Sequence, residues 1–541
     1  MTRALFRCVV LMALLPCACA AQTYSITGRA LDAATGSPLP RATVSLERVK
    51  DHSLFASVST DENGSFQFLQ LPADRYILRG SHRGYITTSF EEHENFTTAL
   101  VTGEKQNCCT NLQLRLVPGG VISGTVNEDT GEPVENGTVV LYRESNQMGT
   151  EHVQRARTTM VDESGAYEFA GLEPGNYFLS ASGQPWYATR FMLPRHTGDA
   201  NDIASSTDMV YATEFYPDTT DEKAAAPIPI RGGDHLTVNF SLHPVPAVHL
   251  SVEVPQQTGD RRGPFFVPQV SQQIFGLTEP VLSSFAMTGR IGNSGSVDMR
   301  VPPGQYQMRT SEHDDVPGKT VSVDASADQA VDLTGGSTLP DVSGKLSLSS
   351  GTALPDNVFV SLTTLAGQNG QGTRLQKDGS FTLHGVSPGV YRLNIFSGNK
   401  RFHVGRMVAN GAQIGHRQIT IGSSPVLLAA DLYEDLELSV SGYAKSGDAP
   451  ARGAMIVLVP ADPVHDRDYF RRAQSDSDGS FVFEDVQPGQ YTAVAIQDGW
   501  SLDWAQPEVI NRYLQQGERI SVTQHSPRTI QLSEALQVQP K

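Results

Sequence analysis

The chain has 541 residues, room for three to five domains at roughly 100–200 residues each. Apolar residues make up 39%, which excludes wholesale disorder, and a net charge of −17 spread along the chain disfavours nucleic-acid partners. Of five cysteines, Cys8, Cys17 and Cys19 fall in the first twenty residues, so neither a disulfide-dense scaffold nor a cysteine zinc site can be built from the remaining Cys108 and Cys109.

The N-terminus places Arg3 and Arg7 before a short apolar run and the small-residue site Ala18-Cys19-Ala20. That order predicts a secretory signal peptide over residues 1–20, cut before Ala21. The run is too short to stay in a bilayer as a spanning helix, and no later stretch supplies one, so the mature chain is expected outside the cytoplasm without a transmembrane segment. Whether Cys17 or Cys19 carries lipid is left open, since Pro16 stands where lipoprotein processing favours other residues.

Beyond the leader, one pattern recurs. Asp61-Glu-Asn-Gly64 leads into Phe66-Gln-Phe68, then Leu71-Pro72 and Tyr76. Asp162-Glu-Ser-Gly165 leads into Tyr167-Glu-Phe169, then Pro174-Gly175-Asn-Tyr177. An eroded copy keeps Gly295-Ser-Val297 and Pro303-Gly304-Gln-Tyr306. Asp378-Gly379 with Phe381-Thr-Leu383 and Tyr391, and Asp478-Gly479 with Phe481-Val-Phe483 and Tyr491, complete the series. The Asp-Gly turns supply a side-chain acceptor and a positive φ, and aromatic residues two apart point to one face of a strand. Short strands with turn signals every 8–12 residues predict antiparallel β-sandwiches. The expected fold is all-β: about five tandem transthyretin- or immunoglobulin-like sandwiches, with a short helix near the C-terminus around Pro507–Leu514. The expected boundaries are 21–117, 118–245 (with an aromatic insertion over 186–230), 246–336, 337–434 and 435–541. Only a few residues separate successive modules, which predicts a rod with restricted hinges.

The Gly-x-Val strands, the Asp-x-x-Gly-x-Phe-x-Phe run and the Pro-Gly-x-Tyr run resemble the carboxypeptidase regulatory-like domain, a transthyretin-like (prealbumin-like) sandwich related to the starch-binding-like superfamily. The resemblance is best in modules one, two and five and weakest in module three. It implies a fold and leaves activity open, because such domains serve as accessory modules on metallocarboxypeptidases, on outer-membrane receptors and in surface adhesins.

No histidine is followed by Glu at the third residue, so the zinc pair of a metallocarboxypeptidase is missing, and His196-Thr-Gly-Asp199 is a poor substitute. Gly292-Asn-Ser294-Gly295 is too short for a nucleophile elbow. Asp61-Glu-Asn63-Gly and Asp476-Ser-Asp478-Gly run straight into strands, which favours turns over calcium loops. The first strands carry Arg29 or Thr125 where lysine would be needed for the isopeptide cross-links of related adhesins. Alternation buries Cys108 with Leu112 and turns Cys109 outward, with two small hydrophobes expected ahead of a vicinal disulfide. The charged run His465-Asp466-Arg-Asp468-Tyr-Phe-Arg471-Arg472 reads as a solvated loop or, more sharply, as an electrostatic contact with a neighbouring module.

These observations predict a non-catalytic secreted or surface scaffold with no cofactor and no metal, whose partner is an extracellular protein or polysaccharide and not nucleic acid. An alternative is sugar binding by Trp186, Tyr187, Tyr211 and Tyr216 as stacking platforms, with Asn201, Asp202 and Asp208 accepting from hydroxyls. That alternative requires exposed rings; the competing expectation is that Phe215-Tyr216-Pro217 covers a sheet edge. A remoter alternative is an accessory subunit of an extracellular peptidase. Trp500 and Trp504 are expected to pin the C-terminal helix onto its sandwich.

Overall fold

The computed structural model describes residues 23–541 except 104–108, 135, 186–207, 254–267, 282–283, 287–295, 311–317, 365–368, 399, 416–417, 435–437, 465 and 524. The signal-peptide reading, Trp186, Tyr187, His196, Asp199, Asn201, Asp202 and Gly292–Gly295 therefore lie outside the described residues. Among those described, the chain is all-β apart from a few short helical turns, the single α-turn being Pro507–Ile510, which continues as a 3-10 helix over Asn511–Gln516. No described helix is long and apolar enough to cross a membrane.

The repeat seen in the sequence is one folding device used again and again. In the first module the strand Tyr24–Asp32 lies between the antiparallel strand Ser65–Leu71 and the parallel strand Leu112–Leu116. Gly28 sits opposite Phe66. Gly124 opposite Tyr167, Gly344 opposite Phe381 and Gly442 opposite Phe481 repeat the pairing in modules two, four and five. The glycine is needed because the aromatic ring lies across the strand at that point. A Cβ on Gly28 would stand 2.4 Å from the Leu112 carbonyl oxygen and 2.8 Å from Phe66 Cζ, and one on Gly442 would stand 2.8 Å from Phe481 Cζ. In modules one, two and five each ring then fills its sandwich with the aromatic two residues on, and in module four with Leu383; Phe66 and Phe68 have centroids 6.3 Å apart and Phe481 and Phe483 5.4 Å, and burying one such side chain contributes about 1.5–3 kcal/mol. Module three lacks the pair, placing Leu250 opposite Met299 and Val252 opposite Val297, so aliphatic and sulfur side chains fill its core around Tyr306.

The repeated tyrosine has a second task. In all five modules its hydroxyl donates to the backbone carbonyl four residues upstream: Tyr76 to Pro72, Tyr177 to Glu173, Tyr306 to Pro302, Tyr391 to Ser387 and Tyr491 to Gln487. This is the tyrosine corner of sandwich folds, closing the turn that precedes its strand while the ring enters the core. Burial pushes the Tyr76, Tyr177, Tyr306 and Tyr391 hydroxyls above the usual phenol range, so they stay protonated and able to donate.

Five separate cores result, spanning Ile26–Leu116, Ile122–Leu242, Val248–Leu333, Val342–Leu432 and Leu438–Leu536. In module four the strand Lys400–Asn410 pairs with both Gly389–Ser397 and Val426–Glu434, joining the two sheets into one curled nine-stranded sheet.

Two expectations fail. Cys109 is 1% exposed and disulfide-bonded, with its partner outside the described residues. Asn111 sits at φ 58°, which interrupts the alternation before Leu112 and reverses the face on which Cys109 falls. The rod also fails. The joint between modules two and three is itself strand-paired, Met209–Tyr211 with Pro244–Pro246. The module-three hairpin bearing Phe275 (φ 51°) and Gly276 (φ 75°) then drives the Phe275 ring among Tyr142, Phe178 and Phe215 of module two, at centroid distances of 5.2, 4.9 and 5.7 Å. A bulky residue in the left-handed region is unfavourable, and burial against three rings offsets it. The path ends with module five packed against modules one and two.

Candidate functional site: a clasp between the first, second and fifth modules

On module five, the strand Arg471–Gln474 and the signature turn after it carry the contact residues. In module one, the Asp61 carboxylate makes the turn, accepting from the Asn63 and Ser65 amides at 2.9 and 2.7 Å. Asp476 has the equivalent backbone place, its amide donating to the Ser480 carbonyl and its own carbonyl accepting from Gly479. Its side chain is not needed there, because Asp478 Oδ1 accepts from the Ser480 amide and hydroxyl at 2.9 and 2.6 Å. The buried Asp476 carboxylate instead reaches module one, accepting from the Ala99 amide at 2.9 Å and pairing with Arg75. Ser477 completes the junction: its amide donates to the Ala99 carbonyl at 3.0 Å, and its hydroxyl accepts from the Val101 amide at 2.8 Å. The short strand Leu100–Val101 would otherwise end next to unpaired amides, so the turn of one module finishes the hydrogen bonding of another.

Beside this junction lies an ion pair in an aromatic cage. Arg472 donates to both carboxylate oxygens of Glu94, at 3.1 and 2.5 Å, and to the Gln147 carbonyl of module two at 3.2 Å. Its guanidinium lies 5.2, 5.7 and 4.4 Å from the ring centroids of Phe96, Trp500 and Trp504. The side chains of Arg472 and Glu94 are only 7% and 15% exposed, so the pair is desolvated and depends on its bidentate geometry. The His93 ring stacks on Trp500 at 4.9 Å and 6°, and its Nδ1 is 3.1 Å from Gln474 Oε1. Gln474 Nε2 donates to the Glu91 carbonyl and the Thr98 hydroxyl, and Arg452 pairs with the Glu91 carboxylate at 3.0 Å. Glu91 and Glu94 both sit at left-handed φ, 49° and 56°, which costs about 1–2 kcal/mol each and is offset by the two arginines they meet.

Module two contributes its hairpin loop. Asn146 Nδ2 donates to the carbonyls of Trp500 and Leu502 at 3.2 Å, and the Ala505 amide donates to the Gly149 carbonyl at 3.0 Å. Trp500 and Trp504 do pack on the C-terminal helical segment through Ile510 and Tyr513, and the same cluster takes in Phe96 of module one. The charged run around Arg472 thus serves an inter-module contact. His93, Glu94 and Phe96, its partners, were not singled out in the sequence; their one local signal is the tight turn His93–Phe96, closed by two backbone hydrogen bonds of 2.9 Å.

The described members of the aromatic set sit elsewhere. Tyr211 is buried in the module-two core and Tyr216 packs half-buried against it. The strand Glu214–Phe215 pairs with Gly175–Ser182 at the sheet edge, and Asp208 is engaged by His249 and Arg300 of module three.

Residues 25–102 and 121–203 match the model of the carboxypeptidase regulatory-like domain. Each of the first two modules thus carries a match to that domain family. Similar solved structures include the shaft pilin SpaA of Lactobacillus rhamnosus GG, 12% identical, covering 41% of this chain and 98% of the pilin at a TM-score of 0.19. The minor pilin of Streptococcus agalactiae is 14% identical over 44% of this chain and 100% of its own, at 0.20. The Bacillus anthracis TIE protein is 8% identical over 92% of this chain and 67% of its own, at 0.15. Those scores transfer no function. No curated protein matches the sequence.

Proposed function

We propose that the protein is a non-catalytic, exported or surface-associated scaffold that presents its modules in a closed arrangement to an extracellular protein or polysaccharide. The observation that carries this reading is the clasp. Side chains whose chemistry could serve catalysis or ligand binding (Arg472, Asp476, Glu94, His93, Trp500 and Trp504) are spent on holding modules one, two and five together. A desolvated ion pair and finished sheet-edge amides are features of a lasting internal contact, and they hold outer surfaces in fixed relation for recognition. The sugar-binding alternative draws no support from Tyr211 and Tyr216, one buried and the other half-buried against the core of its own module.

Two experiments test the proposal. The mature protein is expected to show no peptidase or esterase turnover, with or without added zinc; turnover abolished by a single substitution overturns the non-catalytic reading. Protease shaving of intact cells is expected to release fragments of the chain if it is displayed, and periplasmic extraction to release it if it is not. Retention in the cytoplasmic fraction contradicts the export reading.

A further inference from the structure

The geometry points to a divalent transition-metal site on module two, formed by Glu214, Asp218 and His243, with zinc as the ion its donors suit best. The sequence gives no hint of it, since the three residues follow no familiar ligand spacing and no metal is expected from it. The fold brings them together. Glu214 lies on the edge strand Glu214–Phe215. The turn after that strand is closed by three hydrogen bonds between Phe215 and residues Asp218 and Thr219, and it presents Asp218 at φ 99°. His243 follows the closing strand Phe240–Leu242. One potential ligand atom from each residue falls within 4.8 Å of the other two.

The independent observation is the state of Glu214. The residue is 3% exposed, and its Oε1 accepts from the His243 amide at 2.9 Å and lies 3.2 Å from His243 Nδ1. Its other oxygen, Oε2, is enclosed and has no hydrogen-bond partner among the described residues. A buried carboxylate oxygen without a donor is costly, and a cation is the simplest group to satisfy it. A separation of 3.2 Å between an imidazole nitrogen and a carboxylate oxygen also suits two ligands of one tetrahedral ion with bonds of about 2.0–2.2 Å. Asp218 is exposed at the tip of its turn and closes the third position by a side-chain rotation.

One imidazole with two carboxylates favours zinc over calcium or magnesium, which take oxygen alone. Beyond Asp218 opens a cleft of about 360 Å³, also lined by Asn127, Glu128 and Asp129, which leaves a fourth position for water. Bound there, the ion ties the edge strand, the turn behind it and the end of the closing strand into one unit.

The test uses the full mature chain stripped with a chelator and titrated with zinc chloride. One saturable equivalent is expected, together with a rise of about 5 °C in a thermal transition. Asp218→Asn, a change at an exposed position, is expected to weaken binding by about tenfold or more, and His243→Ala to abolish the equivalent. Cobalt substitution reads the donors directly: visible d–d bands are expected in the parent chain and absent from the His243 variant. Circular dichroism separates loss of a ligand from loss of the fold. Titration without a saturable equivalent overturns the site, as does an equivalent whose affinity and cobalt spectrum are unchanged in correctly folded Asp218 and His243 variants.

Discussion

The signature turns of the first and fifth modules share a backbone and differ in what their carboxylates do. In module one, Asp61 spends its side chain on its own turn. In module five, Asp478 has taken over that work and Asp476, two residues earlier, is released to bind Ala99 and Arg75 of module one. Doubling one acidic residue turns a local folding signal into an inter-module contact without changing the fold of the module that carries it. The turn reading of Asp476-Ser-Asp478 holds for Asp478, while the Asp476 side chain serves the inter-module contact instead.

The largest effect that can break this comparison belongs to the caged arginine. Arg472→Ala leaves Glu94 buried and uncompensated, and undocking of module five is expected to become easier by about 3–5 kcal/mol. A double-mutant cycle with Glu94→Ala, read by hydrogen exchange at the junction, should show strong coupling; additive effects would reduce the pair to a surface contact. Next comes the acid itself. Asp476→Ala is expected to lower docking stability by about 1.5–3 kcal/mol while the module-five turn survives on Asp478. The same change at Asp61 should loosen only its own turn. Amide exchange at Ala99 and Val101 distinguishes the two, rising in the Asp476 variant alone.

The shared framework gives a control that ignores the clasp. Gly442→Ala forces a Cβ against Phe481 and Leu532, and module five is expected to lose about 1–3 kcal/mol, measured by chemical denaturation. A neutral result would mean that the ring is free to move off the strand. The smallest effect is on acidity. Hydrogen bonds from Ser164 and the Ala166 and Ser164 amides hold the Asp162 carboxyl below the usual carboxylate range, and those from Ser380 do the same for Asp378. A lowered folded-state value means that the turns gain stability above the unfolded value near about 4, and lose it as pH falls through the lowered one. Carboxyl chemical shifts followed by NMR should titrate below free aspartate in both turns; titration at the free value would show that the bonds do not persist in solution.

Most of the module was legible in the sequence because it is written in local terms. Turn residues, aromatic residues two apart and a tyrosine at fixed distance each carry a meaning within a few positions, and the sandwich follows from their order. The clasp could not be read that way. His93 and Gln474 meet across 381 residues of sequence, and neither has a periodicity that announces the other. The run ending in Arg472 could be seen as charged and given an inter-module reading, but its partners looked like ordinary loop residues. Strand alternation gives the wrong facing for Cys109 for a smaller reason of the same kind, since it does not foresee Asn111 at positive φ.

Small-angle X-ray scattering of the mature chain, beside its Arg472→Ala variant, tests the closed arrangement most directly. The account predicts a compact profile for the parent, its maximum dimension well short of five sandwiches placed end to end, and a longer tail in the pair-distance distribution of the variant. An extended, rod-like profile for the parent, unchanged by the substitution, would contradict it.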